Sequence, residues 1–138
     1  MPNVYKSYRC GGVLINDNDV LTASHCVNAE LSGVRLGEWN LREHMDCEEN
    51  VYSGPVQDIC VVERIRHEDY HPNSMVNDIA LLRLERPAPY TSWIQPICLP
   101  TSSDGPKENV NGFPYQVSGW ARTGWEVPGS AGSSIKLR

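Results

Sequence analysis

No apolar run in this sequence approaches the roughly 18 residues that a membrane-spanning helix requires, and Met1 to Cys10 lacks the apolar stretch of a secretory leader. The N-terminus therefore gives no address. Basic clusters are absent too: 12 Lys and Arg stand against 17 Asp and Glu, for a net charge of −5. That balance excludes the phosphate tracking of a nucleic-acid binder and leaves cation binding open. There is no Asn-x-Ser/Thr sequon, so N-glycosylation is not expected. Internal repeats and heptads are also missing, which excludes solenoids and coiled coils.

What the chain does contain points to β structure. Its 138 residues include 11 Gly and 10 Pro spread between short apolar runs, with no long helical period. Val13-Leu14-Ile15 and Val20-Leu21-Thr22 flank Asn16-Asp17-Asn18-Asp19, residues that tolerate turn geometry and bond their own backbone, so a hairpin is predicted. Further strands are expected at Gly33 to Trp39, at Ile59 to Ile65, at Ile79 to Leu84 and at Gln116 to Trp120. Thr101 to Pro114 is polar and rich in turn residues, as suits a linker between two packed units. The length fits one ordinary domain, or a piece of a closed β domain of roughly 200 to 250 residues.

Five cysteines suggest an oxidising compartment, and their odd number leaves at least one thiol free or paired outside the chain. Leu21-Thr22-Ala23-Ser24-His25-Cys26 sets a histidine beside one of them, and Asn77-Asp78-Ile79-Ala80-Leu81-Leu82 offers a carboxylate at the mouth of a strand. A histidine of near-neutral pKa is the usual base for activating a hydroxyl, provided a carboxylate holds its ring in the right tautomer. Taken singly, each residue has a plainer reading, as a polar residue of the surface or a strand-entry aspartate.

The string Cys10-Gly11-Gly12-Val13-Leu14-Ile15 through His25-Cys26-Val27, followed by Asp78 to Leu84 and by Gln95-Pro96-Ile97-Cys98-Leu99-Pro100, closely resembles the chymotrypsin-like serine proteases. The resemblance runs from Arg9 to about Trp120. It implies an all-β, double β-barrel fold, with the first barrel over about residues 1–100, an inter-barrel linker at 101–114, and the start of a truncated second barrel at 115–138. It implies His25 as general base and Asp78 as its orienting acid. The nucleophile is not here: no Gly-x-Ser-x-Gly elbow and no Gly-Asp-Ser-Gly-Gly occurs, so the chain alone is expected to be inactive. Ser24 stands where the family usually has Ala and reads as a small packing residue.

The same resemblance pairs Cys10 with Cys26, closing a loop of about 15 residues worth roughly 3 kcal/mol in the chain-entropy model. It assigns Cys98 to a bridge with a propeptide or light chain. Asp46-Cys47-Glu48-Glu49 and Pro55-Val56-Gln57-Asp58-Ile59 resemble the arthropod clip-domain proteases of haemolymph cascades and imply a Cys47–Cys60 bridge, although Cys60 follows the Pro-x-Gln-Asp segment where the family cysteine precedes it. Glu38, Asn40 and Glu48 or Glu49 fall where many relatives hold calcium, by carboxylate and carbonyl oxygens that suit a hard cation. A zinc set of Cys47, Cys60, His67 and His71 is the competing reading of those residues. By family the chain is then a secreted serine endopeptidase that needs no cofactor and cuts other zymogens. The alternatives are a non-catalytic protease homologue acting as a cofactor protein, and an inactive truncated product.

Overall fold

The computed structural model describes residues 8–38, 47–48, 51–52 and 54–100, with backbone alone at 47–48 and 51–52. The turn after Ile15 shows how local chemistry starts the fold. The Asn16 side-chain carbonyl accepts the Asn18 and Asp19 N–H groups at 2.8 Å each, and its amide donates to Asp19 Oδ2 at 3.0 Å. One side chain thus satisfies donors that a tight turn would otherwise leave to water. Strands β1 (Val13–Leu14) and β2 (Asp19–Thr22) pair antiparallel across it. The predicted hairpin is present, with Ile15 assigned to the turn.

After a 3-10 turn at Ser24–Cys26 come β3 (Gly33–Leu36), β4 (Cys47–Glu48), β5 (Val51–Tyr52), β6 (Gln57–Arg66) and β7 (Ala80–Leu84). Five strands form one antiparallel sheet in the order β1-β2-β7-β6-β3, and β4 pairs with β5 alone. The result is all-β, a curled half-barrel sheet without α-helix among the described residues. β3 is shorter than the predicted Gly33–Trp39 strand because Gly37 has φ 75°, a left-handed value that ends extended backbone. A Cβ there would lie 3.2 Å from Ile94, so close packing also favours glycine.

The core follows the period-two rule of a sheet with one wet face. Ala80, Leu82 and Leu84 of β7 point inward and meet Val20, Ile59, Val61, Leu14 and Ile94. Arg83 faces out between Asp19 and Glu63, with contacts of 3.1 and 3.3 Å. On β6 the register shifts between Val61 and Glu63, leaving Val62 exposed. The linker expected at 101–114 and the second-barrel start at 115–138, including the Gln116–Trp120 strand, lie outside the described residues.

Candidate active site

His25 sits in the 3-10 turn that leaves the end of β2, and Asp78 stands two residues before β7. The two strands pair with Thr22 opposite Ala80, so the chain ends that carry His25 and Asp78 meet on the same rim of the sheet. Sequence order keeps them far apart; the β2–β7 ladder brings them together. The turn is closed by the Cys26 N–H donating to the Ala23 carbonyl and the Val27 N–H donating to the Ser24 carbonyl, both at 3.1 Å. A disulfide from Cys10 to Cys26, with Cα atoms 6.0 Å apart, ties it to the start of the sheet. From the other side, the guanidinium groups of Arg64 and Arg66 donate to the carbonyls of Leu31 and Val27.

Asp78 takes two hydrogen bonds from that turn. His25 Nδ1 lies 2.6 Å from Oδ2 and the His25 backbone N–H donates to Oδ1 at 2.8 Å. The hydrogen bond from the His25 side chain, more than any other cause, holds the Asp78 carboxyl below the usual aspartate range. A carboxylate at Nδ1 selects the tautomer with its proton on that nitrogen, which leaves the Nε2 lone pair free to accept a proton. The imidazole is half-exposed while Asp78 keeps about a fifth of its side-chain surface, so the base is open to a reactant and its partner is sheltered. Ser24 is fully buried with its hydroxyl on the Ile79 carbonyl, which agrees with its reading as a packing residue and rules it out as a nucleophile in this geometry.

The other sequence-derived residues separate. Cys60 is an exposed free thiol, and the side chain of Cys47, its expected bridge partner, lies outside the described residues. On β6 the residues beside it, Ile59 and Val61, take the buried face, and strand alternation turns Cys60 outward. Cys98 is likewise exposed and free. Of the oxygen ligands suggested for calcium, the Glu38 carboxylate is nearly buried and lies 3.3 Å from the Arg35 guanidinium, which also pairs with Asp58. Asn40 and Glu49 lie outside the described residues, and Glu48 is described only by its backbone pairing with Val51. A carboxylate already matched by arginine does not fit a dication.

Among the described residues the zinc set does not assemble. His67 Nδ1 accepts the Asp69 N–H, His71 belongs to a surface turn, and neither joins Cys60 in a ligand cluster among the described residues. Cys10, His25 and Cys26 do lie within 4.8 Å of one another, but the two sulfurs are bonded together and present no thiolate to a metal. Neither the Ser24 hydroxyl bond nor the two arginine caps had a signal in the sequence, since each links segments that only the sheet brings near.

The trypsin family model matches residues 3–133. CLIP domain-containing serine protease HP8 of Bombyx mori is 45% identical over 140 residues, covering 95% of this chain and 37% of that protein. Spaetzle-processing enzyme of Drosophila melanogaster is 40% identical over 148 residues, covering 96% and 36%. The crystal structure of the Drosophila Grass clip serine protease of the Toll pathway superposes with a TM-score of 0.63 at 37% identity, over 66% of this chain and 28% of that one. The chain thus spans little more than a third of the curated relatives it matches. With the histidine and aspartate on one rim of a half-barrel and this match along nearly all of its length, the chain belongs to the chymotrypsin/trypsin-like serine proteases, alongside the insect clip-domain enzymes.

Proposed function

We propose that this chain supplies the base and the orienting acid of a secreted trypsin-like endopeptidase that cuts other zymogens in a protease cascade, with the nucleophilic serine contributed from outside these 138 residues. The observation that carries this reading is the 2.6 Å contact of His25 Nδ1 with Asp78 Oδ2, reinforced by the His25 backbone N–H on the same carboxylate. His25 Nε2 takes the proton of the serine hydroxyl as its oxygen bonds to the scissile carbonyl carbon. It then returns that proton to the leaving amine as the C–N bond breaks, and a water repeats the sequence to release the acyl group. Throughout, Asp78 offsets the positive charge that forms on the imidazole.

Protein substrates are supported by relatives whose names describe action on a protein, as in Spaetzle-processing enzyme. Secretion is supported by the Cys10–Cys26 disulfide, which persists in oxidising compartments. The exposed Cys98 thiol is available for the bridge to a propeptide or light chain.

The test compares the 138-residue polypeptide with the longer protein that carries it. The longer protein is expected to hydrolyse peptide esters and to take up a fluorophosphonate probe, with both lost in His25→Ala. The short polypeptide should do neither, and its stoichiometric labelling would refute the assignment of roles. The cofactor-protein alternative is decided by the residue at the nucleophile position: serine in Gly-Asp-Ser-Gly-Gly marks the enzyme, glycine the non-catalytic homologue.

A further inference from the structure

Ser24 is buried with no surface open to solvent. A hydroxyl in such a place needs a partner, and Oγ donates to the Ile79 carbonyl at 2.6 Å. The Ser24 carbonyl accepts the Val27 N–H and so closes the turn that carries His25. One residue thus ties the histidine turn to the segment just after Asp78.

The Asp78 segment needs such a restraint. Asn77 has φ 57°, in the left-handed region, and the Ile79 N–H reaches back to the Asn77 carbonyl at 2.8 Å, so Asp78 is the middle of a three-residue turn ahead of β7. A small rocking of that turn would carry the carboxylate away from the ring. The Ile79 carbonyl also accepts the His67 N–H at 3.0 Å, so it keeps a partner when the Ser24 hydroxyl is removed. What the hydroxyl uniquely adds is a link from the histidine turn to the backbone just beyond Asp78.

We propose that the Ser24 hydroxyl is a positioning group for the His25–Asp78 pair, clamping the Ile79 carbonyl so that the Asp78 turn holds its carboxylate against His25. The proposal rests on the reading of those two residues as base and orienting acid. The Thr22 hydroxyl supplies a control, because its hydrogen bond goes to the Gly11 carbonyl at 2.8 Å rather than to the Asp78 turn.

The test is Ser24→Ala beside Thr22→Val, first by amide hydrogen exchange of the 138-residue chain. The His25 N–H, which ends on Asp78 Oδ1, is expected to lose about tenfold in protection in Ser24→Ala while the core amide of Leu82 is unchanged; Thr22→Val should leave both as they were. His25 protection within twofold of the unsubstituted chain overturns the proposal, and so does a parallel fall at His25 and Leu82, which would mark a purely structural role. In the longer protein Ser24→Ala should lower kcat about tenfold with KM unchanged, the pattern of a misplaced catalytic group. If instead His25→Ala retains full turnover there, the protease reading fails, while the exchange measurement still decides the clamp.

Discussion

Removing the Cys10–Cys26 bridge is the perturbation whose size follows most directly from this structure. The bridge spans a sequence separation of 16, so it closes a loop of about 15 residues in the unfolded chain. In the chain-entropy model such a loop is worth roughly 3 kcal/mol at 25 °C. The folded state loses little else, because Cys10 is exposed and Cys26 is held in the turn by its own backbone bond to Ala23. The double variant Cys10→Ala, Cys26→Ala should therefore lower unfolding stability by about 2–4 kcal/mol. Urea unfolding followed by far-UV circular dichroism measures this as a shift in midpoint at unchanged slope. A loss under about 1 kcal/mol would refute the loop-closure account. A changed slope would show instead that the variant alters the compactness of the unfolded chain.

Leu82 is 3% exposed at the centre of β7, so Leu82→Ala should cost about 2–5 kcal/mol in the same assay, and a loss under about 1 kcal/mol would mean that β7 is not the heart of the core. Because the Asp78 carboxyl titrates below the usual range in the folded chain, its bonds to His25 contribute stability that is complete above about pH 4 and disappears as pH falls through the folded value. Asp78→Asn should remove that acid limb from a stability-versus-pH curve, and a carboxyl carbon of Asp78 found by NMR to titrate at or above the usual value would contradict the geometry. Both free thiols, Cys60 and Cys98, should react with one equivalent each of a thiol reagent under native conditions; protection of Cys60 would favour its bridge to Cys47.

Much was legible in the residues because it depends on neighbours in the chain. The hairpin at Asn16 needs only one amide side chain and the N–H groups two and three residues on, and Ile79–Leu84 announces a buried strand by its apolar content alone. His25, Asp78 and the Cys10–Cys26 pairing came from family motifs; in the structure the first two lie 2.6 Å apart and the cysteines are bonded. The outward direction of Cys60 and the commitment of Glu38 to Arg35 were not legible. The first depends on which face of β6 meets the core, and the second on an arginine of β3 reaching a residue past a glycine that breaks the strand.

Residue identities alone name the candidate base and acid, point to the β class of the fold, and show no serine nucleophile motif within these 138 residues. That the base and acid meet depends on strand pairing: a ladder between β2 and β7 places two segments far apart in the chain on one rim, at 2.6 Å. The tertiary structure also decides how firmly they are held, through a buried serine hydroxyl whose partner is a backbone carbonyl. Backbone carbonyls are the same at every residue, so no side-chain pattern could have named that partner before the strands were paired.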